Sequence, residues 1–288
     1  MQIADLFQKK KTVLSLEVFP PKKTSSIETI YRTLDDLQDL KPDFISVTYG
    51  AGGNAGDTST CDIASAIKAK YNTPPLAHLT CVNYTRAEID RILDLLELNG
   101  IENVLALRGD INLEITPKNE FRYADELVTY IRERGGFHVS AACYPEGHID
   151  SLNLIQDIHN LKRKVDSGAE HLISQLFFDN SHFYSFLERA RIAGIMVPIE
   201  AGIMPVVNKA QIERMVTLCG ASLPAKFTKM MQRFEHSPEA LRDAGIAYAV
   251  DQIVDLISQG VDGIHLYTMN NSYIAKRIHT NIEGLIQA

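Results

Sequence analysis

Short apolar, β-branched runs recur along this chain at the spacing of one strand plus one helix, and this recurrence restricts the folds open to it. The pattern predicts strands over 12–19, 44–49, 76–80, 103–107, 138–142, 171–175, 198–202 and 263–267. Most of their starts lie 27 to 35 residues apart, the length of one βα unit. Between them, amphipathic stretches predict helices over 27–40, 62–69, 86–98, 123–134, 152–167, 181–193, 209–218, 238–258 and 271–286. Asn99-Gly100 and Ser167-Gly168 supply helix stops. The last gap between strands is longer, and residues 221–235 fill it with an extra helix or loop. Strands alternating with helices imply a parallel sheet. Eight such units make a closed (β/α)8 TIM barrel, a single α/β domain over residues 1–288, the economical architecture. The alternative is an open doubly wound sheet. That fold wants G-x-G-x-x-G after the first strand, where this chain has Phe19-Pro20-Pro21. The glycine-rich stretch after the second strand, Gly50 to Gly56, has the wrong spacing and reads as a loop.

Composition removes several function classes. A net charge of −7 argues against a general nucleic-acid binder, which would present a basic face, yet leaves an anionic small ligand open. Cys61, Cys81, Cys143 and Cys219 are scattered, with no C-x-x-C and no zinc-finger spacing, which fits a reducing compartment. The apolar run after Lys9–Lys11 is broken at Glu17 and closed by Pro20-Pro21, too short and polar for a secretory signal. Nothing approaches the ~18 uncharged apolar residues of a membrane span. These features predict a cytoplasmic protein with neither membrane nor nucleic acid as partner.

Active sites of (β/α)8 barrels lie at the C-terminal ends of the strands, so the informative residues are the polar ones placed there. The strand assignment puts Glu17, Thr48-Tyr49, His78 with Thr80, Arg108-Gly109-Asp110, Tyr144 through His148, and Gln175 on one rim. Any one of these reads most simply as a satisfied core or cap residue; six strands converging do not. Glu17 interrupts the apolar Val13–Phe19 run, and a desolvated carboxyl there gains proton affinity and suits a general acid. An inward structural ion pair is the competing reading. Asp110 follows a glycine that permits close backbone approach, against the simpler reading of an Arg108–Asp110 surface pair. On a helical wheel, Leu154, Ile158, Leu161 and Val165 form the buried line of the 152–167 helix. Asp157, Asn160 and Lys164 border it, with Arg163 further round. That border is either a solvated face or a set of groups for ribose hydroxyls and a pyrophosphate. No metal site is predicted: H-x-H and H-E-x-x-H are absent, and His78 and His148 sit on separate loops. Nor does any Ser sit in G-x-S-x-G.

Nine motifs in order carry a family resemblance. They are Ser15-Leu16-Glu17-Val18-Phe19-Pro20-Pro21, Ser46-Val47-Thr48-Tyr49-Gly50-Ala51, Ala77-His78-Leu79-Thr80-Cys81 and Ala106-Leu107-Arg108-Gly109-Asp110. Next come Tyr144-Pro145-Glu146-Gly147-His148, the Asn160–Ala169 run and Gln175-Leu176-Phe177-Phe178-Asp179. Gly202-Ile203-Met204-Pro205-Val206 and Leu266-Tyr267-Thr268-Met269-Asn270 complete the set. Over essentially its whole length the chain resembles the methylenetetrahydrofolate reductases of the short bacterial type, with a catalytic domain only.

The resemblance implies non-covalent FAD, with NADH or NADPH delivering hydride to it and leaving before methylenetetrahydrofolate enters the same face, in a ping-pong sequence. The product, 5-methyltetrahydrofolate, supplies methyl groups for methionine synthesis. By resemblance, Glu17 is the acid that protonates the folate's bridging nitrogen, and Asp110 tunes the flavin and stabilises the cationic intermediate. Gln175, Gln211 and Tyr267 resemble further substrate contacts, alongside Glu17 and Asp110. FAD would be held by Thr48, Tyr49, Ala51, His78, Arg108, Gly109, Asp110, Tyr123, Ala124, Tyr144 and His148, together with Asp157, Asn160, Arg163 and Lys164. The chain departs from the family at Asn271, where many members carry Arg, and at Met215, where an aromatic is often found. A homo-oligomer is implied. Two alternatives stand beside this reading: a flavin-binding subunit that needs a partner as electron donor, and a flavin-free, metal-assisted barrel lyase.

Overall fold

The computed structural model describes residues 1–21, 26–49, 58–110, 118–208, 212, 215–217 and 219–288. Eight parallel strands close into one barrel in sequence order, with β8 (Gly263–Tyr267) paired back to β1 (Val13–Val18). Between them run β2 (Phe44–Val47), β3 (Pro75–Thr80), β4 (Asn103–Leu107), β5 (His138–Cys143), β6 (His171–Ser174) and β7 (Ile199–Ile203). The closed sheet excludes the open doubly wound alternative. Every strand falls where the apolar runs place it, with shifted ends. β7 starts one residue late because Pro198 has no N–H to give the ladder, although its carbonyl still accepts from Leu172 at 2.9 Å. β2 stops at Val47, which leaves Thr48 and Tyr49 on the rim.

A short helix α1 (Leu6–Lys9) precedes the barrel, and α2 (Glu28–Gln38), α3 (Ser59–Tyr71), α4 (Arg86–Leu98) and α5 (Ala124–Arg134) follow the first four strands. Next come α6 (Leu154–Asp166), α7 (Asn180–Ile192), α8 (Ala225–Phe234), α9 (Pro238–Ser258) and α10 (Ser272–Ile286). Helix starts are set locally. Thr85 and Glu88 form a capping box on α4, while Asn153, Asp179, Ser237 and Asn271 cap α6, α7, α9 and α10. Asn271, the family departure, is therefore occupied with the backbone N–H of Ile274. The extra helix expected in 221–235 is α8; its Phe227 stacks on Phe178 with ring centroids 4.6 Å apart. The predicted 209–218 helix lies mostly outside the described residues, as do Lys22, Lys23, the Gly50–Gly56 stretch, Ala51 and Gln211.

Most of the apolar core lies between the sheet and the helices, where Ile30, Leu34, Ile63, Leu93, Ile131, Phe183 and Ile278 are buried. A smaller cluster closes the barrel floor. Ile3 and Leu6 from the N-terminal turns meet Val13, Phe44, Leu76, Leu105 and Ile173 there, and Phe7 stacks on His171 at 4.8 Å. On α6, Ile158 and Leu161 are buried as expected, but Val165 is half-buried and Leu154, the first residue of the helix, is 41% exposed. Among the described residues, no helix is long and apolar enough to cross a membrane.

Candidate active site

Glu17 occupies the penultimate position of β1, and the parallel register sets what surrounds it. It pairs with Ser46 of β2 and Tyr267 of β8, while Ser15 pairs with His265. Paired positions in a barrel share a face, so these polar groups point inward together. Glu17 Oε2 accepts from Ser46 Oγ at 3.4 Å and lies 3.4 Å from His265 Nε2 and 3.5 Å from His78 Nε2. The end of the strand is locked from β8: Thr268 Oγ1 donates to the Glu17 carbonyl at 2.6 Å. Asn270 accepts from Phe19 N at 3.0 Å and donates to Phe19 O at 2.8 Å.

These neighbours reverse one expectation. Burial does push the proton affinity of Glu17 up, but the hydrogen bond from His265, the electrostatic pull of the His78 and His265 rings and the bond from Ser46 outweigh it. The net effect holds the carboxyl below its ordinary range, so it rests as a carboxylate. Burial takes His78 the other way, down to about 4, and leaves its ring neutral at pH 7.

The remaining rim residues divide by strand. Gly109, just past β4, has φ +86°, and a Cβ there would stand 2.9 Å from Thr80 Cβ. This turn needs glycine both for its backbone angle and for its close approach to β3. Asp110 beyond it is exposed. Arg108 does not pair with Asp110 as the simpler reading expected; its Nη1 lies 2.8 Å from Asp150 Oδ2. Gln175 is half-buried after β6, its Oε1 accepting from Leu176 N at 2.9 Å. Tyr267 donates its hydroxyl to the Ser174 carbonyl at 2.7 Å, and burial holds that phenol well above its ordinary pKa.

Beside this mouth, between β4, β5, α5 and α6, lies a cleft of about 350 Å³. Arg108 enters it from β4, Tyr123 and Ala124 from the start of α5, and Tyr144 and His148 from the β5 loop. Asp157, Asn160, Arg163 and Lys164 enter from α6. Asp157 is buried and accepts from His148 N at 3.1 Å and Ser151 Oγ at 2.7 Å. Arg163 pairs with Asp125 at 2.6 Å. Lys164 donates to the Ala142 carbonyl, and its burial lowers the ammonium's pKa against the opposing pull of Asp157. The polar border of α6 therefore faces a cavity rather than bulk solvent. Tyr49 and His78 line a second cleft of about 250 Å³ against α3 and α4, so the cofactor positions named from sequence do not all share one cavity. Burial pushes the Cys81 and Cys143 thiols up to about 12, which leaves them unreactive.

Sequence reasoning missed Ser15, Ser46, His265 and Glu200. Strand alternation would have found them, since each falls at an inward position of a correctly placed strand. It also missed Asp125, Asp150, Ser151 and Gln156 in the larger cleft.

A closed parallel barrel with a carboxylate in its mouth and a cleft lined by charged and polar groups at the C-terminal rim is the framework of a (β/α)8 enzyme. The family model for methylenetetrahydrofolate reductase matches residues 2–283, and the chain belongs to that family. It is 37% identical to 5,10-methylenetetrahydrofolate reductase of Escherichia coli K12, over 93% of this chain and 90% of that protein. It is 34% identical to methylenetetrahydrofolate reductase (NADH) 1 of Arabidopsis thaliana, over 99% of this chain and 50% of the relative. The chain thus spans about half the length of the plant relatives and about nine-tenths of the enterobacterial ones. Among solved structures, an uncharacterized Clostridium thermocellum protein that binds two copies of 5-methyl-5,6,7,8-tetrahydrofolic acid matches with a TM-score of 0.69 at 11% identity. The match covers 100% of this chain and 99% of that one, a likeness of fold.

Proposed function

We propose that this protein reduces 5,10-methylenetetrahydrofolate to 5-methyltetrahydrofolate, with FAD bound non-covalently and NADH or NADPH as hydride donor. The observation that carries the reading is the placement of Glu17: a carboxylate in the barrel mouth, bonded to Ser46, 3.4 Å from His265 and 3.5 Å from His78, beside a cleft lined by cationic and polar groups. The fit is chemical. Lys164 is a buried ammonium whose pKa burial lowers, and an anion brought to it would offset that burial and stabilise its charge. Arg108 and Arg163 add cations for a pyrophosphate, and Asp157 and Asn160 offer acceptors for ribose hydroxyls. Bound there, FAD would take hydride from the nicotinamide and hold it for the folate.

The chain's own groups do the rest. Glu17 gives a proton to the folate's bridging nitrogen, the carbon–nitrogen bond breaks, and a 5-iminium cation remains to accept hydride. Asp110, exposed at the rim, stabilises that cation through its charge. Gln175, Gln211 and Tyr267 contact the substrate. The product would supply methyl groups for methionine synthesis, and the working form is a cytoplasmic homo-oligomer.

The test uses the purified protein with FAD. Anaerobic NADH should bleach the flavin, and methylenetetrahydrofolate should restore its colour. Glu17→Gln should keep the first step and lose the second by about 10²–10⁴-fold, the range for a general acid. Equal loss of both steps would refute the acid assignment. A flavin that neither NADH nor NADPH bleaches would point to a partner as donor, and protein that takes up no FAD would overturn the reading.

A further inference from the structure

A second carboxyl lies deeper in the same barrel. Glu200, on β7, is wholly buried, and Gly263 on the adjacent strand makes room for it. A Cβ on Gly263 would stand 2.8 Å from Glu200 Cγ and 2.9 Å from its Oε1. Ser15 Oγ lies 2.9 Å from Glu200 Oε1 and 2.7 Å from His265 Nδ1. The other ring nitrogen of His265 is the one 3.4 Å from Glu17 Oε2. An unbroken chain, Glu200–Ser15–His265–Glu17, therefore crosses the barrel interior. The groups facing Glu200 from elsewhere are His171 Nε2 on β6, 3.1 Å from Oε2, and, acting through space, Asp43 and Asp262. His171 is held in turn by Ser140 Oγ at 3.0 Å, and burial drives its pKa down to about 3, so it brings no positive charge. Burial is also the main reason Glu200 keeps its proton up to about pH 8.

With its imidazole neutral, His265 would carry one ring proton, as Ser15 carries one hydroxyl proton, and the chain is then directional. If Glu200 holds the extra proton, it donates to Ser15, Ser15 donates to His265 Nδ1, and His265 donates from Nε2 to a Glu17 carboxylate. If Glu17 holds it, every bond reverses: Glu17 donates to Nε2, Nδ1–H donates to Ser15, and Ser15 donates to a Glu200 carboxylate. Both arrangements contain the same number of protons.

We propose that Glu17 and Glu200 share one proton through Ser15 and His265, and that Glu200 is a positioning residue that stores the proton Glu17 delivers to the folate. The proposal rests on the reading of Glu17 as the acid. With the mouth open, Glu17 is partly hydrated, its side chain 16% exposed, and it rests as a carboxylate with the proton on Glu200. A substrate that covers the mouth removes that water, raises the proton affinity of Glu17 and draws the proton across as His265 changes tautomer. Glu17 then loses it to the bridging nitrogen. A solvent proton entering at the reopened mouth restores the first arrangement, so each turnover consumes one proton.

Glu200→Gln keeps the shape and a donor toward Ser15 but holds no transferable proton. It should leave flavin reduction by NADH unchanged and slow the folate step about tenfold or more at pH 7. Its folate step should fall with pH from a lower value than in the parent, whose rate holds up to about pH 8. Ser15→Ala, which keeps both carboxyls but cuts the chain, should do the same and guards against misfolding of the first variant. Nitrogen-15 histidine spectra of the protein without folate give a readout independent of turnover. Because Nδ1 faces Ser15 and Nε2 faces Glu17, the two ring-nitrogen signals of His265 should differ between the parent and Glu200→Gln. Parent-like folate rates and pH profiles in both variants, or a His265 tautomer indifferent to Glu200, would overturn the proposal. If Glu17→Gln itself reduces folate normally, the acid assignment fails instead, and the two failures are told apart.

Discussion

Gly202 on β7 is a tight point of the mouth, and adding one methyl group there tests how the site is packed. An alanine Cβ would stand 2.2 Å from the Ser174 carbonyl oxygen and 2.8 Å from both Cε2 and the hydroxyl of Tyr267. The first contact is with backbone, so a side-chain rotation does not relieve it, and β6 and β7 must separate by about 1 Å or the carbonyl must turn. Overpacking of this kind costs about 1–3 kcal/mol, and this contact belongs at the upper end. Turning the carbonyl also breaks the Tyr267 bond at 2.7 Å, worth about 1 kcal/mol. Against these, replacing glycine by alanine restricts the unfolded chain and returns about 0.4–1 kcal/mol. The net expectation for Gly202→Ala is a loss of about 3 kcal/mol, a fall in Tm of about 6 °C at roughly 2 °C per kcal/mol for a chain this long. Tyr267→Phe, which removes the hydrogen bond alone, should lose only about 2 °C. Calorimetric melts of the two variants beside the parent decide the matter. A Gly202→Ala melting point at or above that of Tyr267→Phe would show that β6 and β7 are not packed as described.

Lys164→Ala should weaken FAD binding by about tenfold or more, the value of one charge-assisted contact, read by fluorescence titration of the flavin-free protein. Unchanged affinity would return Lys164 to a structural role on the Ala142 carbonyl. Asp110→Asn should slow the folate step and weaken folate binding while leaving flavin reduction near the parent rate, measured by stopped flow. An unaltered folate step would remove Asp110 from the site. Stability should also depend on pH with opposite signs at the two ends. His78, His138 and His171 fold with pKa values lowered to about 4, 4 and 3, chiefly by burial, so their contribution is intact above the unfolded value near 6.5 and is lost as pH falls toward 4. Glu200 folds with its pKa raised to about 8, so it favours the folded state below about 4.5 and that advantage is lost as pH rises to 8. Urea midpoints should therefore show Glu200→Gln gaining on the parent by up to about 1.4 kcal/mol per pH unit between pH 5 and 8, and a pH-independent difference would contradict the buried neutral carboxyl.

The fold was legible because the signal for it is repetitive. Each apolar run is a strand buried on both faces, each amphipathic stretch within the described residues a helix covering the sheet, and errors at single boundaries such as Pro198 or Val47 do not change the strand count. The border of α6 was also legible: a wheel places Asp157, Asn160 and Lys164 beside the buried line whatever the helix packs against. The state of Glu17 was not. Its position in β1 gives burial, and burial alone gives the wrong sign, because the groups that win are His265, His78 and Ser46, on three other strands. Only register brings them together, and register depends on how eight strands stagger around a closed barrel. The floor was missed for a related reason: Ile3, Leu6 and Phe7 span too little sequence to show a period, and their role appears only against the strands they cap.

That floor bears on how the polar interior is tolerated. Barrel interiors are ordinarily filled with branched apolar side chains, yet here Ser15, His171, Glu200 and His265 are all fully buried within one. Such a set is costly unless its members satisfy one another. Ser15 joins Glu200 to His265 and Ser140 holds His171, while Glu200 Oε2 and His171 Nε2, 3.1 Å apart, are left facing each other without a hydrogen bond. Phe7 and Phe44 press on His171 from the floor, at 4.8 and 5.9 Å, and keep water from that end. Water therefore meets the chain of polar groups at the mouth, where Glu17 stands. A proton that enters or leaves at the mouth passes through the one carboxyl placed to reach substrate, while the other carboxyl, sealed below, can hold a proton without exchanging it directly with solvent. The same asymmetry explains why two carboxyls linked by four atoms of hydrogen bonding differ so much in proton affinity. Glu17 has partial exposure and three polar neighbours to stabilise its charge, whereas Glu200 has a neutral histidine and a hydroxyl. Substrate binding removes the water from the first and leaves the second as it was, which is the change in balance that moves a proton outward.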